Sequence, residues 1–237
     1  MISPRKTDVK NKIGDMAARL LRAAIGRISN DLELLGQIDS AITSSRYLDV
    51  AMHGSRPCSS RTEVMDFAIA AAKVNGFVCE LGVFRGESLN RIARLLAPHE
   101  IYGFDTFTGL PEFWRPGFPE GKFDTSSEPL EFEDNCRLYK GLFGESIPQF
   151  LAKVDLPAKL IHIDCDLYSS SRCALDLLAP RMRTGTILVF DEYFNYPGWT
   201  LHEHKAFLEV MSTSGMSYKY IAHNKRGEQV AVIITGN

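Results

Sequence analysis

The stretch GFVCELGVFRGES, residues 76–88, runs a short apolar segment into a glycine-spaced turn that opens into a helix. A strand, turn and helix in that order begin a parallel sheet. Gly82 is the residue that permits a tight turn, and Gly86 permits a close backbone approach. The first amides of the helix have no partner inside it and suit an anionic group. The glycines do not follow the G-x-G-x-x-G pattern of a dinucleotide fold, so a pyrophosphate is not the expected ligand.

Outward from this stretch the chain alternates. Ser60-x-x-Glu63 is a capping box, and Val64, Phe67, Ala68 and Ala71 follow at helical spacing until Gly76. After it come IYGFD (101–105), CRLYKG (136–141), AKLIHID (158–164) and GTILVFD (185–191), with helical segments around Leu89–Leu96 and Ala174–Leu178. This alternation predicts βαβ units, an α/β fold with a mostly parallel sheet and helices on both faces. A helix near Lys205 to Met211 precedes YKYIA (218–222) and VAVIIT (230–235), which read as a hairpin whose last strand is antiparallel to the rest.

Before Ser60, the positions Ile13, Met16, Ala17, Leu20, Leu21, Ala24 and Ile28 repeat at helical spacing, and the face they form needs a partner, either this domain or a second subunit. Residues 39–59 carry turn formers and little periodicity and read as a connector or cap. The division expected is an N-terminal helical extension over 1–59 and one domain over 60–237. Residues 106–135 hold four prolines and many aromatics without a period. They form a loop on the carboxyl side of the sheet, where Phe113, Trp114, Phe118 and Phe123 either close over a substrate or pack as a satellite core.

With 237 residues, 45% of them hydrophobic, the chain can bury a full core. Its five cysteines form no CxxC pair and its start does not resemble a signal peptide, which points to a reducing cytoplasm. No apolar run approaches the roughly 20 residues of a membrane helix. A net charge of -2 gives no footprint for nucleic acid. The expected partner is a small molecule.

The residues that end the strands are mostly acidic: Glu80, Asp105, Asp164 with Asp166 just beyond, and Asp191 with Glu192. Like charges gathered on one edge repel, so such a set calls for cations or hydroxyls. Asp105 is placed to accept hydrogen bonds from two vicinal ribose hydroxyls. If the strands ending at Asp164 and Asp191 are neighbours, Asp164, Asp191 and Glu192 offer three oxygen donors to a hard cation such as Mg²⁺, and Asp166 is free to act as a base. The plainer reading has Asp166 capping the next helix and the others solvated. His162 reads as a buried core histidine, and His202 with His204 as a solvated helix start.

With ELGVFRGES, IYGFDTFTGLPE, HIDCDLYSSS and GTILVFDEYFNYPGW in this order, the chain resembles the class I S-adenosylmethionine-dependent methyltransferases, and among them the macrocin O-methyltransferase family of antibiotic sugar O-methyltransferases. The resemblance runs from about Ser60 to the C-terminus. It implies a Rossmann-like, seven-stranded sheet with an antiparallel last strand. It further implies S-adenosylmethionine contacts at Glu80, Gly82, Gly86, Ser88 and Asp105, Mg²⁺ ligands at Asp164, Asp191 and Glu192, and a general base at Asp166. The activity implied is methylation of a hydroxyl on a sugar of a secondary metabolite or glycoconjugate. Two departures stand out: Glu192 where the family often has aspartate, and GWTLHEHKAFLEV after the site. The main rival is a metal-dependent glycosyltransferase reading Asp164-x-Asp166 as a nucleotide-sugar motif; a scaffold that kept the fold and lost activity is the other.

Overall fold

The computed structural model describes residues 6–236, and side chains from residue 16 onward. Eight strands form one sheet: β1 (Arg56–Cys58), β2 (Phe77–Leu81), β3 (Ile101–Asp105), β4 (Cys136–Lys140), β5 (Ala158–Ile163), β6 (Ile187–Phe190), β7 (Ser217–Asn224) and β8 (Val230–Gly236). Their order across the sheet is β1-β7-β8-β6-β5-β2-β3-β4, and only β8 runs antiparallel. The expected hairpin is β7–β8. The sheet has one strand more than the expected seven. The added strand, β1, extends the far edge by pairing Arg56, Pro57 and Cys58 with Ala222, His223 and Asn224 of β7. Three residues with one proline between them carry no alternation that could be read as a strand.

Among the helices, α3 (Arg61–Ala71), α4 (Glu87–Leu96), α5 (Phe143–Leu151), α6 (Tyr168–Leu178) and α7 (Glu203–Ser214) flank the sheet. Two apolar layers, one on each face, fill the space between. The Ser60 hydroxyl accepts from the Glu63 amide as a capping box requires, but the Glu63 carboxylate reaches the amide of Ser59 instead of Ser60. α3 then ends at Ala71, short of Gly76.

Two helices precede the sheet: α1 (Lys6–Ile28) and α2 (Leu32–Val50). The segment 39–59, expected to be a connector or cap, is thus mainly helix and strand. Its weak periodicity follows from what α2 buries, since Ser40 and Ser44 are its buried positions. Polar contacts dock it: the Asn195 amide donates to the Ser44 hydroxyl at 2.8 Å, and the Trp199 indole to the Thr43 hydroxyl at 3.2 Å. On α1, Met16, Leu20, Leu21, Ile25 and Ile28 are exposed, so that face is not covered by this chain's own core; the Ile13 side chain lies outside the described residues. His204, expected to be solvated, is buried among the rings of Tyr47, Tyr193 and Trp199, and loss of hydration pushes its pKa down to about 4. No helix among the described residues is long and apolar enough to cross a membrane.

Candidate active site

In an open parallel sheet the ligand crevice lies where the connections from neighbouring strands diverge. Here β2 is followed by β3 on one side while β5 lies on its other side, so the crevice opens at the carboxyl ends of β2 and β5. The pairing carries past the strand ends. Gly82 donates its amide to Phe104, Asp164 to Leu81 and Asp191 to Ile163, each at 2.9 Å. The residues that follow β2, β5 and β6 therefore stand level along one edge.

Gly82 adopts φ 89°, and a Cβ there would come within 1.8 Å of the Asp164 carbonyl oxygen. The glycine is thus needed to let β5 pass. At Gly86, φ is 80° and a Cβ would meet the Phe132 ring at 2.5 Å, so its close neighbour in this structure is a side chain of the long loop. Asp105 gathers both connections: one carboxylate oxygen accepts from the amides of Val83 (2.7 Å) and Phe84 (2.8 Å), and the other from Phe107 (2.7 Å). Phe84 and Phe107 have φ of 49° and 59°, conformations that side-chain-bearing residues rarely take without such support.

Glu80 is completely buried. Its carboxylate accepts from the Ser88 hydroxyl at 2.9 Å and pairs with His162 Nδ1 at 3.0 Å. Burial opposes an imidazolium at His162, but the Glu80 hydrogen bond and charge outweigh it and raise the pKa. His162 is the buried, bonded histidine expected. Glu80 stands behind the crevice wall, whereas Ser88 and Asp105 line it. Removing one member of a buried pair strands the other, so Glu80→Ala is expected to cost about 3–5 kcal/mol in urea unfolding. A loss below about 1 kcal/mol would show that the pair adds little to the fold.

The remaining acids converge. Ligand-capable atoms of Asp164, Asp166 and Glu192 lie within 4.8 Å of one another, as do those of His162, Asp164 and Asp191. Asp164 belongs to both sets. Burial, with the charge of Asp191, pushes the Asp164 carboxyl well up; burial with Asp164 and Asp166 does the same at Glu192. Burial raises the Asp166 carboxyl to about 7. One buried Glu192 oxygen has no partner. Arg61, at the start of α3, is the cation at hand: it lies 3.5 Å from both Asp164 and Asp191. It escaped the sequence reading because it sits 103 positions before Asp164, directly after a capping serine (164 − 61).

The long loop closes one side of a cavity of about 790 Å³ that runs from the Gly82 turn to Glu192. Phe118 and Phe123 line it and Trp114 is buried, whereas Phe113 points outward. The Arg115 guanidinium lies 3.9 Å from the Trp114 ring, 5.0 Å from Phe118 and 4.5 Å from Tyr196, and pairs with Glu228 at 3.5 Å. Cation–π contacts of this kind, partly withdrawn from water, fasten the loop to the segment after β6 and to the β7–β8 hairpin.

Residues 79–193 match a family described as a methyltransferase domain. No curated protein matches the chain. Among solved structures, the calicheamicin methyltransferase CalS11 is similar over 73% of this chain and 80% of its own, at 24% identity and a TM-score of 0.57. The O-methyltransferase NovP is similar over 73% and 79%, at 18% identity and 0.57. An apo structure of CalS11, described as a TDP-rhamnose 3'-O-methyltransferase of calicheamicin biosynthesis, is similar over 73% and 81%, at 25% identity and 0.51. Neither comparison supports the glycosyltransferase reading of Asp164-x-Asp166. Residues 79–193 thus match a methyltransferase domain, and the chain shares the fold of the O-methyltransferases CalS11 and NovP.

Proposed function

We propose that this chain is an S-adenosylmethionine-dependent methyltransferase acting on a hydroxyl of a small, sugar-bearing acceptor, with Mg²⁺ held by Asp164, Asp191 and Glu192 and with Asp166 as the base. The observation that carries the proposal is that Asp164 converges with Asp191 in one set and with Asp166 and Glu192 in another, all four lining the cavity beside the Gly82 turn. The donor set fits the cation: all are hard oxygen donors, their charge is only partly offset by Arg61, and one Glu192 oxygen is buried without a partner. The cavity suits a cofactor and an acceptor together, being near the upper end of the roughly 300–1,000 Å³ usual for ligand sites. Gly82, Gly86, Ser88 and Asp105 would hold S-adenosylmethionine.

When bound, Mg²⁺ supplies the polarisation that makes a weakly acidic hydroxyl easier to deprotonate, and S-adenosylmethionine supplies the electrophilic methyl group. The chain's own residues do the rest. Asp166 takes the hydroxyl proton. The loop carrying Trp114 and Phe118 excludes water from the crevice. That the likeness includes a TDP-rhamnose 3'-O-methyltransferase supports a sugar hydroxyl, and a place in secondary-metabolite biosynthesis, for this chain as well.

Five free cysteines fit a cytoplasmic setting, and the exposed apolar face of α1 fits pairing with a second copy. Isothermal titration tests the cofactor assignment directly. S-adenosylhomocysteine is expected to bind, and Asp105→Ala to weaken it more than tenfold, because the substitution frees the amides of Val83, Phe84 and Phe107 as well as removing a hydroxyl acceptor. Binding unchanged in Asp105→Ala would remove this residue from the cofactor site.

A further inference from the structure

Asp166 has φ 63°, a left-handed conformation uncommon outside glycine, though aspartate tolerates it better than most residues. The turn that carries it, between β5 and α6, is held by one side chain from elsewhere in the fold. Glu203 opens α7, is fully buried, and through one oxygen accepts from the amides of Cys165 at 3.3 Å and Asp166 at 3.2 Å. Its second oxygen is buried without a partner. A carboxyl group withdrawn wholly from water into a neighbourhood of acids is costly to the fold, and packing alone would be served better by an apolar residue. Its position explains why it is there: without it, two buried amides at the catalytic turn would have no acceptor.

We propose that Glu203 is a positioning residue that fixes the Cys165–Asp166 turn and thereby aims the Asp166 carboxyl at Glu192 and Asp164. It touches neither substrate nor cofactor. The inference rests on the reading of Asp166 as the base, and it assigns a role to a residue of the GWTLHEHKAFLEV segment. What the turn needs is an oxygen acceptor at this place and not a charge, so glutamine serves and a side chain of similar length without oxygen does not.

The test compares Glu203→Gln and Glu203→Met with the wild-type chain by amide hydrogen exchange, using NMR, and by Mn²⁺ titration followed by electron paramagnetic resonance. In Glu203→Met, exchange at Cys165 and Asp166 is expected to rise at least tenfold while Ile161 and His162 in β5 keep their protection. Mn²⁺ affinity is expected to fall about tenfold, because the loosened turn directly follows Asp164, the carboxylate common to both convergent sets. Glu203→Gln is expected to keep both within about threefold of wild type. Unchanged exchange at the two amides in Glu203→Met overturns the proposal. Should Glu203→Met not fold, Glu203→Gln decides: wild-type protection at both amides upholds the acceptor role, and its loss there overturns it. A wild-type chain that binds no Mn²⁺ would defeat the cation assignment above, while the exchange result would still decide the role of Glu203.

Discussion

Asp166→Asn is expected to lower kcat by about 10²–10⁴, the range that a positioned base contributes, while leaving Mg²⁺ and S-adenosylhomocysteine affinities within about threefold. Asparagine keeps the size and the left-handed tolerance of aspartate, so the turn held by Glu203 should persist. Turnover can be followed with an acceptor drawn from a panel of nucleotide sugars and glycosides. In the wild-type chain the rate is expected to fall as pH drops through the Asp166 pKa, which burial raises to about 7, because only the ionised form can take a proton. The same variant separates two roles for this residue, since Asp166 and Glu192 lie close enough to share an ion with Asp164. A tenfold or greater loss of Mg²⁺ affinity in Asp166→Asn would make Asp166 a ligand and leave the base to be found elsewhere.

Asp164→Ala is expected to abolish Mg²⁺ binding, because Asp164 is the one carboxylate common to both convergent sets. The effect can be read without any acceptor, as thermal stability. The carboxyl groups of Asp164, Asp166 and Glu192 all have folded-state pKa values raised by burial and by one another. A raised carboxyl stabilises the fold fully below its unfolded value, near 4, and that stability is lost as pH rises through the folded value. The chain without a divalent cation should therefore lose stability between about pH 5 and pH 8, and an added cation should offset most of the loss at the alkaline end. At a concentration 100 times its Kd, Mg²⁺ stabilises by about 2.7 kcal/mol, or roughly 5–10 °C in Tm for a chain of this size. We expect that shift at pH 8, a much smaller one at pH 5.5 where protons compete, and none in Asp164→Ala. An equal shift at both pH values would count against a cation held by these acids.

Most of the sheet was legible because β2, β3, β5 and β6 are buried apolar runs of four to six residues, each followed by a turn and, except after β3, a helix. The acidic edge was legible for the same reason: a strand's end is visible in sequence, and neighbouring parallel strands bring their ends level. What stayed hidden depends on contacts between distant segments. α2 docks through Ser44, Thr43 and Tyr47, which read as ordinary polar surface. α5 carries Pro148 inside it, a residue that argues against a helix wherever it cannot be placed near the start. Glu203 stands in the first turn of α7, where a negative charge is favourable in any case. Only its burial shows that it faces inward to another turn. The engagement of Asp105 with three backbone amides was likewise out of reach, because the partners are set by where two loops meet and not by spacing.

The hydroxyls of Tyr47, Tyr220 and Tyr193 form a row, with Tyr47 2.7 Å from Tyr220 and Tyr220 2.5 Å from Tyr193. The row begins on α2, crosses β7 and ends on the residue directly after Glu192. A chain cut at Ser60 would lose its outer member, together with the acceptor for the Trp199 indole and the donor-bound hydroxyl of Ser44. Two phenols at the back of the acidic edge would then face a vacated groove. The smallest piece that keeps the reaction centre in shape therefore starts at the Asp31 cap of α2, and α1 alone can be dispensed with.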